Sequence, residues 1–138
     1  LSEFLVNSTT WLRSPMNNPY ASYKSQSIQT MTSGEMIVAL YEGLIKQLNI
    51  ALVYLEEKNI QEVHIALVKS QDIINYLIST LNPEIEISQT ILPYYELFNR
   101  QITEANFKKE AKIIQDILPL IEEFKQIFVQ ADRLSRTK

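Results

Sequence analysis

Few residues in this 138-residue chain are of types that do covalent chemistry, and their spacing narrows the choice further. His64 is the single histidine, and no Ser, Cys or second imidazole stands at a spacing suited to a nucleophile and its base. It reads as a partly buried side chain at the edge of an inner helix face. Cysteine is absent, which removes thiol nucleophiles, thiolate metal sites and disulfides. Without a second histidine, the Glu-x-x-His pairs that hold di-iron sites in helical bundles cannot form. The carboxylate pairs Glu56 and Glu57, Glu84 and Glu86, and Glu122 and Glu123 read as two solvated helix faces and a loop rather than acid–base dyads. Two glycines, Gly34 and Gly43, are too few for a phosphate-cradling loop. No catalytic, cofactor or metal residue is assigned, and the chain reads as a non-enzyme.

Recognition is the chemistry left, and the seven tyrosines suit it, since each offers apolar area with a polar tip. Tyr41 and Tyr95 fall on inner helix faces and read as core. Tyr20, Tyr23 and Tyr54 fall elsewhere and read as recognition residues. A net charge of −3 argues against nucleic acid, because phosphate binding needs clustered Lys and Arg, and Arg133, Arg136 and Lys138 make only a short basic tail. No run approaches the roughly 20 apolar residues of a membrane span, so no membrane insertion is expected and the chain is read as cytoplasmic.

The elements that position these residues follow from helical periodicity. From Thr32 to Glu57, Ile37, Leu40, Tyr41, Leu44, Leu48, Leu52 and Leu55 form one wide apolar stripe. A second seam, Met36, Ala39, Gly43, Ile50 and Tyr54, lies round from it, interrupted by Gln47 and centred on small residues that let another backbone approach. Ser33 is the expected N-cap, with Glu35 helping through the helix dipole rather than through a capping box. This helix should end near Lys58. Asn59 caps a second helix, with Glu62 three residues on, running to Asn82 and stopped by Pro83. Ser88 opens a third, with Ile91, Leu92, Tyr95, Phe98, Ile102 and Ala105 inward. A fourth runs from about Lys108 with Ile114, Ile117, Ile121, Phe124, Phe128 and Ala131 inward. Pro93 and Pro119 point away from the core and should kink their helices rather than break them.

The fold class is therefore all-α, an antiparallel four-helix bundle preceded by an N-terminal arm with at most one short helix. Residues 1–15 read as an upstream addition, with Met16 a natural start; 16–31 form the arm, 32–131 the bundle and 132–138 a tail. On the second helix Ala66, Ile73, Tyr76 and Leu77 also lie off the main stripe. With Met36, Ala39, Gly43, Ile50 and Tyr54 they would wall a groove for an amphipathic partner helix. The arm, through Tyr20, Tyr23 and Ile28, would cover that groove until displaced.

The stretch NPYASYKSQSIQTMTSGEMIVALYEG, Asn18 to Gly43, resembles the opening of the flagellar secretion chaperone family FliS. That family's pattern is a Tyr-containing arm, a Thr-x-(Thr/Ser)-Pro-Gly-Glu-Leu start and a Leu-Tyr-Asp-Gly box. Here the start is Thr30, Thr32, Ser33, Gly34, Glu35 and Met36, and the box is Leu40, Tyr41, Glu42 and Gly43. The likeness continues in Lys69, Ser70, Gln71, Asp72, Ile73 and Ile74, in Tyr94, Tyr95 and Glu96, and in Glu104, Ala105 and Asn106. Ser33 departs from the usual proline, Pro93 and Pro119 are additional, and Phe128 stands where tryptophan is common. The resemblance implies a cytosolic chaperone that binds the disordered C-terminal segment of flagellin and prevents premature polymerisation. It also implies delivery to the flagellar type III export apparatus, whose gate components are then further partners, and a monomer or weak homodimer. A different class of reading makes the chain a homodimerising structural or adaptor bundle of the flagellar system, with the second seam as the dimer interface.

Overall fold

The structure, a computed structural model, describes residues 31–136. Four helices follow one another: α1 (Ser33–Glu56), α2 (Ile60–Ser79), α3 (Glu86–Lys108) and α4 (Ala111–Arg136). α1 packs on α2 and α4, and α3 packs on the same two, so the helices stand at the corners of a square with α1 diagonal to α3. The short links make neighbours antiparallel. Tyr41, Leu44 and Leu48 of α1 meet Leu67, Ile74 and Leu77 of α2, Phe98 and Ile102 of α3, and Ile114 and Ile121 of α4 in one fully buried core. Burying each such side chain stabilises the fold by about 1.5–3 kcal/mol before the entropy of ordering is set against it.

The helix starts and stops depart from expectation in ways that local chemistry explains. The N-cap of α1 is Thr32, not Ser33. Moving the cap back one residue makes Glu35 the third helical residue and completes a capping box: Thr32 Oγ1 accepts from the Glu35 N–H at 3.2 Å, and Glu35 Oε1 accepts from Thr32. α1 stops at Glu56, and Lys58 adopts a left-handed φ of 60° to make the turn. Asn59 caps α2 as expected, its Oδ1 accepting from Glu62 N–H. α2 ends at Ser79 rather than Asn82, because Asn82 turns the chain instead, accepting from the Glu84 and Ile85 N–H groups through its side chain and carbonyl. α3 can then begin at Glu86, and Ser88 lies buried within it rather than capping it. Lys109, also left-handed at φ 54°, separates α3 from α4, which starts at Ala111 and not at Lys108.

Pro93 and Pro119 both face outward, and both helices run through them unbroken. Leu92 and Ala131, placed inward by periodicity, are exposed, as is Ile60 at the start of α2. Ile60 and Ala131 lie near helix ends, and Leu92 on the shoulder of the apolar stripe. α4 continues past residue 131 through Arg136. By length and composition α1 is apolar enough to cross a membrane, contrary to the expectation that no stretch qualifies. Its place between α2 and α4 accounts for that apolarity.

Candidate partner-binding groove

α1 and α2 are joined through the turn at Lys58, so residues equally far from it in the chain lie roughly level: Ile50 with Ala66, Gly43 with Ile73, and Ala39 with Leu77. The residues proposed for the groove thus lie level across two antiparallel helices. Met36 and Gly43 of α1, and Ala66, Ile73 and Leu77 of α2, are buried. Ala39, Ile50 and Tyr54 are half-buried, and Ile50 and Tyr54 pack against the core from its edge. Tyr20, Tyr23 and Ile28 lie outside the described residues.

One residue between the seams, Gln47, was misjudged from the sequence. Gln47 does not interrupt the apolar surface as a solvated residue would; it is buried, as is Ala51. Met36, Gly43, Gln47, Ala51, Leu44, Ile37, Leu48 and Tyr41 together make one continuous buried arc of roughly 160° around α1. Tyr76, on the corresponding flank of α2, is buried too. Beside it Asp72 is half-buried, and burial pushes its carboxyl up from the ordinary range. Ile65 and Val68, two turns and one turn before Asp72, are exposed, so the outer rim of α2 carries apolar side chains beside a carboxylate with reduced hydration.

The remaining sequence candidates have structural partners. Tyr41 and Tyr95 are core, as expected, and their hydroxyls are hydrogen-bonded to each other at 2.7 Å across the interior. Burial pushes the Tyr95 phenol up to about 12, and it pushes Tyr41 further, with Tyr95 adding to the effect. Tyr41 also stacks on Phe128 with ring centroids 5.4 Å apart. His64 is exposed rather than partly buried, and its Nδ1 lies 2.9 Å from Asn106 Nδ2. Two further bonds tie α2 to α3: Gln71 Nε2 donates to Thr103 Oγ1 at 2.7 Å, and Asn99 Nδ2 donates to Asn75 Oδ1 at 2.9 Å. The polar residues of the Lys69 to Ile74 stretch therefore act in part as a seam between helices, with Ser70 Oγ closing on the Ala66 carbonyl. Among the described residues no three His, Cys, Asp or Glu side chains stand together as a metal site would need.

Sequence reasoning missed a concavity of about 500 Å³ at the far end of the bundle, lined by Asn49, Leu52, Val53 and Glu56 of α1 and by Lys109, Ala111 and Gln115. The signal for it was Val53, an apolar residue off both seams. It also missed a strip of exposed apolar side chains along α3 and α4, Ile87, Tyr94 and Ile127, with Tyr94 edge-on to Phe124.

Residues 16–135 match the family model described as flagellar protein FliS. A curated relative, the flagellar secretion chaperone FliS of Bacillus subtilis (strain 168), is 30% identical over 121 residues, covering 88% of this chain and 91% of that protein. The matched range spans α1, α2, α3 and all but the last residue of α4. The chain belongs to the FliS family of flagellar proteins.

Proposed function

We propose that this chain is a non-enzymatic, cytoplasmic flagellar export chaperone. Its client is the disordered C-terminal segment of flagellin, which it keeps from polymerising early and passes to the flagellar type III export apparatus. The observation that carries this reading is the match to the Bacillus subtilis flagellar secretion chaperone over nearly the whole length of both chains.

The α1 and α2 surface suits the task. Buried Met36, Gly43, Ala66, Ile73 and Leu77 form a tight floor, while half-buried Ala39, Ile50 and Tyr54 supply a rim. A client segment folding there as a helix would set its apolar face against that rim. The arm residues Tyr20, Tyr23 and Ile28 cover the same surface in the unloaded protein. Ordering a disordered client costs about 2–5 kcal/mol of the gross contact energy, so the interface has to be long. Calorimetric titration with a synthetic peptide of the flagellin C-terminal segment, beside far-ultraviolet circular dichroism, tests this. Saturable one-to-one binding with a gain in helicity is expected. A peptide that binds without gaining helix, or not at all, would overturn it.

A further inference from the structure

The outward face of α2 holds a carboxylate that its own fold leaves uncompensated. Residues 65, 68, 72 and 76 follow at the three- and four-residue steps that keep side chains on one side of a helix, so Ile65, Val68, Asp72 and Tyr76 form one stripe. Ile65 and Val68 are exposed, Tyr76 is buried, and Ile73, next to Asp72, belongs to the floor of the proposed groove. Asp72 is half-buried in the middle of this stripe, and burial pushes its carboxyl up from the ordinary range. The other half-buried acids among the described residues are all compensated. Glu35 and Asp132 share Arg136, with contacts of 2.9 and 2.8 Å, and Glu62 lies in the first turn of α2, where the helix dipole favours a negative charge. Asp72 stands in mid-helix, away from that dipole end, and makes no ion pair among the described residues. Lys69, three residues earlier, does not pair with it.

We infer that Asp72 receives a Lys or Arg of the client helix, whose methylene stem lies over Ile65 and Val68 while its charged head meets the carboxylate. This inference rests on the proposed binding of the client along α1 and α2. Long cationic side chains suit such a stripe, because an apolar stem and a charged tip are joined in one group. Val68 and Asp72 are four residues apart, about 6 Å along the helix axis, which is the span such a stem has to cover. The unloaded chain carries a poorly hydrated charge, and the client supplies its counter-charge. Asp72 therefore selects among apolar helices: one with a basic residue flanking its apolar face is favoured, and one with an acidic residue there is rejected by like charge.

The test uses the full chain and its Asp72→Asn variant against the flagellin C-terminal peptide and a set of peptides in which each Lys or Arg is replaced in turn by Gln. Calorimetry gives the affinities, and urea melts give the stability of both proteins. Asp72→Asn is expected to weaken the unaltered peptide by about three- to tenfold, between the worth of an exposed and of a buried charge pair. Its urea midpoint should hold or rise, because asparagine removes a charge that burial disfavours. One of the replaced peptides should lose a similar factor on the wild type and nothing further on the variant, the mark of a direct pair. Unchanged affinity in Asp72→Asn, losses that simply add for every replaced peptide, or a midpoint that falls with the affinity would each overturn the inference while leaving the client reading intact. A wild type that binds no peptide at all would overturn the client reading and this inference together.

Discussion

The buried Tyr41 and Tyr95 pair gives a prediction whose size follows from the structure. Both phenols are shut off from solvent and share one hydrogen bond at 2.7 Å. Unfolded tyrosines ionise near pH 10, whereas here burial holds Tyr95 neutral up to about 12 and Tyr41 beyond it. Below pH 10 both states keep their protons, and the pair adds no pH dependence. Above it the unfolded chain releases two protons that the folded chain retains, so stability falls as pH rises, by ~1.4 kcal/mol per unit for each tyrosine. The loss attributable to the pair is about 3 kcal/mol by pH 11, and it levels off for Tyr95 once pH passes its raised value. Urea melts at pH 8 and pH 11 of the wild type and of the Tyr41→Phe, Tyr95→Phe double variant isolate it, because other titrations are common to both proteins. The wild type should lose about 3 kcal/mol more than the double variant. At pH 8 each single variant should be the worse one, losing about 1–3 kcal/mol through an orphaned buried hydroxyl, while the double variant loses less than the two singles summed. Equal alkaline losses in wild type and double variant would refute the burial argument. Singles no worse than the double would show that the lone hydroxyl finds another partner.

Gly43→Leu should weaken client binding and, because Gly43 is buried, should also show about 1–3 kcal/mol of overpacking cost in its urea melt. Tyr54→Ser, at the half-buried rim, is the cleaner separation: peptide affinity by calorimetry should fall about tenfold while stability changes by about 1 kcal/mol, and matching losses in both would count against the rim. Thr32→Ala breaks the capping box and should lower stability by about 1 kcal/mol, read as a shift in urea midpoint. Lys58→Gly relieves a side chain held at φ 60° and should raise stability by about 1 kcal/mol; a drop would mean that Lys58 contributes more than its backbone conformation costs.

Periodicity was enough to read the bundle, because Ile37, Tyr41, Leu44 and Leu48 repeat on one face and Ile114, Ile117 and Ile121 on another, and all are buried. Boundaries were harder. Ser33 and Thr32 are equally good caps in isolation, and only the reach of the Glu35 side chain back to Thr32 decides between them. Ser88 looked like a cap by residue type, yet Asn82 had already turned the chain, so the helix starts before it. Exposure near helix ends was illegible too: Ile60 and Ala131 have the right phase, yet both are exposed. The contact of Asp132 and Arg136 with Gly34 and Glu35 was not legible in sequence, since it joins the first and last helices and depends on the absence of a side chain at Gly34.

The two apolar seams of α1 take on a different meaning once the square arrangement is known. In such a bundle every helix has two neighbours, so a helix with two seams is accounted for by its own domain, and α1 indeed packs on both α2 and α4. Two seams alone do not call for a foreign chain. Within the second seam, Ala39 and Ile50 lie just past the buried arc and Tyr54 at its edge, and all three remain half-buried. Small residues at Gly43, Ala51, Ala66 and Ser70 draw α1 and α2 together, which makes the floor of that surface narrow and rigid. A client helix laid along the rim would meet a preformed track rather than a yielding one, and its ordering cost would fall on the client alone.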